Sequence, residues 1–171
     1  AVQQFTGLIN CPRHLNETAI RQIEKLGYDS AEIKHIFITH MHLDHAGGLP
    51  DFSMATVHLL ADELNAYLHP RTLAERYAYR PEHRAHNPRW QTHTLTGDQW
   101  FGIDCTPIIR IGHAEFVIIP FPGHTRGHSA IAVRMDDHWL VNCGDAYGYF
   151  RQADPHQPYT FPTGKLMETL L

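Results

Sequence analysis

Thr39-His40-Met41-His42-Leu43-Asp44-His45-Ala46-Gly47-Gly48 is the stretch on which the reading of this chain turns. It follows directly on His35-Ile36-Phe37-Ile38-Thr39, a β-branched and aromatic run that reads as a buried strand. In an extended segment, residues two apart point to one side. His40, His42 and Asp44 are therefore expected to converge while Met41 and Leu43 turn into the core. His45 would enter the next turn, where Gly47 and Gly48 allow a tight backbone path. A single histidine at the surface needs no explanation, but three histidines and an aspartate within six residues at a strand end are a different matter. Imidazole nitrogen with carboxylate oxygen suits zinc, and also iron or manganese, and needs no thiolate.

Two later segments have the same form. Phe121-Pro122-Gly123-His124-Thr125-Arg126-Gly127-His128-Ser129 follows an apolar strand expected over Phe116–Pro120. Val141-Asn142-Cys143-Gly144-Asp145 ends another, expected from Trp139 to Asn142. Three strand ends, each closing on a metal-type ligand, imply one shared site at an edge of the sheets. His128 and Ser129 are read as support for that site or as structural residues. Cys143 is read as a small packed side chain rather than a ligand.

The rest of the chain reads as mixed α/β. Asn16 is the expected N-cap of a helix with Ala19, Ile20, Ile23 and Leu26 on one face and Gly27 as its stop. Ser30 is expected to cap a further turn. Strands are expected over Thr56–Leu60, Trp100–Cys105 and Ala130–Met135, with Asp136-Asp137 as a hairpin turn. A helix is expected from about Asp62 to Leu68, closed by Pro70, and another from about Thr163.

These three motifs together resemble the metallo-β-lactamase superfamily. Its H-x-H-x-D-H motif is matched by His40, His42, Asp44 and His45, its P-G-H-T histidine by His124, and its G-D motif by Gly144-Asp145. The resemblance implies an αββα sandwich of the metallo-β-lactamase type. It also implies a first metal on His40, His42 and His124, a second on Asp44 and His45, and Asp145 bridging the two. Two zinc ions per site are the expected cofactor, with iron or manganese as alternatives. Such a pair lowers the pKa of a shared water from near 16 towards roughly 7. Asp44 is the candidate to orient that water and carry its proton. Tyr147, just beyond Asp145, is a candidate for contact with an oxyanion or leaving group. The family's early strands with an L-I-D-T-G-like segment, and its late histidine ligand, have no counterpart here; His156 comes too early. The chain thus reads as a single domain over 1–171, incomplete at both termini.

The 43% apolar and 19% charged composition is that of a soluble globular protein, and no apolar run approaches the roughly 20 residues of a membrane span. A formal charge of −4 argues against nucleic acid or an anionic membrane as partner. Ala1 to Asn10 show no signal-peptide pattern, and Cys11, Cys105 and Cys143, far apart, read as reduced, half-buried thiols. A cytoplasmic protein is the expectation. The region around 70–91 carries five arginines against two glutamates. It is read as either a lid that steers an anionic small-molecule substrate or a solvated insert. The function expected is hydrolysis of a lactone, thioester or ester, as in the glyoxalase II and lactonase branches. The alternatives are a nucleic-acid phosphodiesterase, an iron-dependent redox relative, or an inactive metal-binding copy.

Overall fold

A computed structural model of the chain describes residues 14–156. Cys11 and the helix expected from Thr163 lie outside the described residues. Within them, three sheets form: a parallel sheet β1 (His35–Phe37), β2 (Thr56–Leu60) and β3 (Arg89–His93); an antiparallel hairpin β4 (Asp98–Trp100) and β5 (Ile103–Cys105); and an antiparallel sheet β6 (Ile109–Ile111), β7 (Ala114–Pro120), β8 (Ser129–Arg134) and β9 (Trp139–Asn142). The helices are α1 (Ala19–Lys25), α2 (Leu43–Ala46), α3 (Ala61–Leu68) and α4 (Leu73–Ala78).

The period of two in the strands explains the layers. In β2, Val57 and Leu59 point into a core shared with Ala66 and Tyr67 of α3, while Leu60 packs the opposite way, on Ile118 of β7 and Ile131 of β8. Stacking of Phe37 on Phe116, with centroids 4.2 Å apart, ties β1 to β7 in the same interior. β7 is covered on both faces, since Val117 and Ile119 pack with Cys105 and Trp100 of the β4–β5 hairpin. The order from one side is therefore helices, parallel sheet, antiparallel sheet, hairpin. The strand ends that follow β1, β7 and β9 come together at one rim.

Several local expectations need correction. Thr18, not Asn16, stands at the N-cap of α1, because Leu15–Glu17 form their own 3₁₀ turn first. Asp29 rather than Ser30 caps the next turn, through a reciprocal capping box with Glu32. The single strand expected over Trp100–Cys105 is a hairpin: Phe101 (φ 50°) and Gly102 (φ 80°) both adopt left-handed conformations and reverse the chain. Cys105 is fully buried, not half-buried; Cys143 is partly exposed, and both thiols are free. Among the described residues, no helix is long and apolar enough to cross a membrane.

Candidate metal centre

The first motif leaves β1 still extended. Ile38 donates its N–H to the carbonyl of His58 (3.0 Å), and Thr39 is locked by its carbonyl, which accepts from both N and Oγ of Ser129 (3.1 and 3.2 Å). His40 and Met41 are then fully buried on opposite sides of the chain. The extended path ends at His42, the N-cap of α2. Asp44 and His45 therefore sit on the first turn of a helix, not on an alternating strand, and Leu43 is only partly buried. The tight path expected of Gly47 and Gly48 is ordinary right-handed backbone, with φ of −63° and −87°.

Five of the six expected ligands meet. His42 Nδ1 lies 3.0 Å from His124 Nε2. Asp145 reaches His45 Nε2 with Oδ1 at 3.1 Å and His124 Nε2 with Oδ2 at 3.3 Å, and His40 Nε2 is 3.9 Å from Oδ2. Two sets could each hold an ion: His40, His42 and His124, and His40, His45 and Asp145. Asp44 stands outside both sets with its carboxylate exposed, 3.7 Å from His45 Nε2. Tyr147 is 42% exposed on the turn after Asp145 and belongs to neither set; nor does Cys143. His156 lies exposed on the last described turn, its N–H bonded to Asp154.

Burial and mutual repulsion favour the neutral form of His40, His42 and His124. His40 is held down to about 2, chiefly by burial and then by the charge His45 would carry. His42 falls to about 4 through burial and His124, and His124 is lowered chiefly by burial. Neutral rings offer lone pairs. One observation fits a cation directly: His40 Nε2 is buried with no hydrogen-bond partner, while its Nδ1 is 3.1 Å from Thr39 Oγ1. A buried acceptor left without a donor is costly, and a cation shared with His42 and His124 would satisfy it. The all-imidazole and carboxylate donor set suits zinc, iron or manganese.

Two residues that hold the site escaped the sequence reading. Glu63 is fully buried on α3 and accepts from Met41 N–H (2.8 Å), Thr125 Oγ1 (2.7 Å) and Tyr79 O–H (3.4 Å). Burial raises its pKa. Tyr79 packs beside His42, with ring centroids 5.5 Å apart. The usable signal was periodic: Glu63, Ala66 and Tyr67 form the buried stripe of α3, so a carboxylate occupies an apolar helical position. The 70–91 region meets the centre through Tyr79, whose backbone bridges His42. It also meets it through Arg126, which donates to Glu75 Oε1 (2.7 Å) and to the carbonyl of His69 (3.0 Å). Its last residues, from Arg89, already belong to β3.

Known proteins agree with this picture. A family model described as anti-Pycsar protein Apyc1 matches residues 2–95. A probable metallo-hydrolase, Rv2300c of Mycobacterium tuberculosis, is 43% identical over 132 residues, which span 77% of this chain but 42% of the relative. The N-acyl homoserine lactonase AttM of Rhizobium radiobacter is 28% identical over 120 residues, 70% of this chain and 43% of AttM. The chain thus spans less than half the length of these relatives. Among solved structures, an N-acyl homoserine lactone hydrolase with N-hexanoyl-L-homoserine at its catalytic metal centre superposes with TM-score 0.63 at 16% identity, over 90% of this chain and 55% of that one. A probable metal-dependent hydrolase from Staphylococcus aureus gives 0.58 at 19%, over 74% and 43%. At such identities these two speak for the fold alone. The chain belongs to the family described as anti-Pycsar protein Apyc1, and its fold is that of the metallo-β-lactamase superfamily.

Proposed function

We propose that the chain carries the metal-holding part of a metal-dependent hydrolase, with two zinc ions and a small carbonyl substrate such as a lactone, thioester or ester. The observation that carries this reading is the position of Asp145, whose two oxygens lie 3.1 Å from His45 and 3.3 Å from His124, one histidine from each ligand set. The lactonase and metallo-hydrolase relatives support the same class. His40, His42 and His124 would hold one ion, and His45 and Asp145, with Asp44, the other. When bound, the ions supply a lowered water pKa and Lewis acidity.

The chain's own groups do the rest. Asp145, which lies between the two sets, would be shared by both ions. Asp44, exposed beside His45, orients the attacking water and takes its proton at the free carboxylate oxygen. Tyr147, exposed just beyond Asp145, would contact the oxyanion or the leaving group. The 70–91 region, which touches the centre through Tyr79, would act as a lid whose arginines favour an anionic substrate.

Metal analysis of the 171-residue chain by mass spectrometry, with a panel of lactones, thioesters, esters and phosphodiesters, tests this reading. About two zinc per chain with turnover of a carbonyl substrate is expected. No bound transition metal would sink it; iron in place of zinc, or turnover confined to phosphodiesters, would overturn the metal or the substrate class respectively.

A further inference from the structure

The two loops that carry His42 and His124 are 82 residues apart, yet their ring nitrogens stand at 3.0 Å. Something behind the rings must hold the loops together without itself being a ligand. Met41 lies between His40 and His42, and its N–H reaches Glu63 Oε1; Thr125 follows His124, and its hydroxyl reaches Glu63 Oε2. Tyr79 and the backbone of Gly127 bond to the same carboxylate. A carboxylate has about four acceptor sites, so four neutral donors fill it. The fit leaves no slack: a Cβ on Gly127 would lie 2.1 Å from the backbone nitrogen of Glu63. Glu63 belongs to neither ligand set.

We infer that Glu63 is a positioning residue, a buried clasp that joins the His40–His45 segment to the His124 loop and so fixes the spacing of His42 and His124. The link to metal affinity rests on the reading of these histidines as ligands given above. Leaving water costs the carboxylate solvation, which is sustained only if all its donors stay in place. Movement of either loop therefore breaks bonds at the other.

The test compares the 171-residue chain with Glu63→Ala, Glu63→Gln and, as a core control far from the clasp, Val117→Ala. Zinc affinity is read by competition with a chromogenic chelator, and amide hydrogen exchange is followed on the metal-free chain. Glu63→Ala is expected to weaken zinc binding about 10–100-fold, the range typical of groups that orient ligands. It should also speed exchange over 40–46 and 123–128 together. Glu63→Gln, which can still accept from Met41 N–H while the two hydroxyls turn to accept from its amide, should stay nearer to wild type. Val117→Ala should lower the melting temperature and leave zinc affinity unchanged. If Glu63→Ala does not fold, Thr125→Val cuts the clasp at one end and gives the same two readouts. Unchanged exchange in either loop overturns the clasp whatever the zinc result. A wild-type chain that takes up no zinc defeats the ligand reading instead, while exchange still decides the role of Glu63.

Discussion

The backbone N–H of Asp145 donates to Nε2 of His128 at 3.0 Å. The other ring nitrogen, Nδ1, lies 2.9 Å from the carbonyl of Phe121, so the partners assign the neutral tautomer with its proton on Nδ1. His128 is fully buried, and burial is the main cause of its lowered pKa. One imidazole thus fastens the backbone of Asp145 to the root of the His124 loop. Gly144 makes room for it: at φ +52°, a side chain there would place Cβ 2.7 Å from His128 Nε2.

His128→Ala should therefore cost stability through a cavity and two orphaned backbone groups, about 2–4 kcal/mol. Denaturant unfolding in the presence of a chelator measures this without interference from bound metal. A loss below about 1 kcal/mol would show that neither bond is significant.

Two glycines of the motifs should respond oppositely. Gly127 lies against the first turn of α3, with Glu63 N, Glu63 Cα and the Asp62 carbonyl carbon all within 2.5 Å of any added Cβ. Gly127→Ala must push backbone against backbone, and should destabilise by more than about 3 kcal/mol or prevent folding. Gly48 has right-handed backbone and nothing within 4 Å of its would-be Cβ. Gly48→Ala should be neutral within about 0.5 kcal/mol. Equal melting temperatures for the two variants would contradict the packing described.

The same pair shows what the sequence could and could not tell. The meeting of His40, His42, His45, His124 and Asp145 was legible because few arrangements other than a metal centre gather such side chains just beyond strand ends. β2 was legible because its apolar run is short and β-branched. β3 was not, because Arg-Trp-Gln-Thr-His is polar and exposed on one face, and only its pairing with β2 makes it a strand. The close approach of Gly127 to α3 depends on contacts over a sequence separation of more than sixty residues, which no local pattern encodes. Asp44 was misplaced locally because a two-residue alternation was extended past His42, where the chain turns helical.

Arg126 offers a test of how the 70–91 region is anchored. Its guanidinium bonds Glu75, and Glu75 also closes the capping box of α4 with Thr72 and accepts from the N–H of Arg71. Both side chains are partly exposed, so Arg126→Ala should leave global stability nearly unchanged. Locally it should free α4, and trypsin should cut at Arg71 or Arg76 several-fold faster than in the wild type. An unchanged cleavage rate would mean that α4 is held by other contacts.

Away from the centre, His35, His58 and His93 form a line across β1, β2 and β3, with 3.0 Å between Nδ1 of His35 and Nε2 of His58 and 3.0 Å between Nδ1 of His58 and Nε2 of His93. Only His58 is buried; its ring also stacks on Phe37 at 4.4 Å. Burial first, then His93 and His35, lower its pKa to about 4. The unfolded chain therefore binds this proton more readily than the folded one between the ordinary value of about 6.5 and about 4. The stability contributed by neutral His58 is complete above about 6.5, is lost as pH falls through that window, and amounts to at most about 3 kcal/mol. His58→Phe keeps the stacking, leaves His35 and His93 to water, and removes the titration. The wild type should lose more unfolding free energy than His58→Phe when metal-free protein is taken from pH 7.5 to 4.5. Parallel losses in the two proteins would show that His58 carries no depressed pKa.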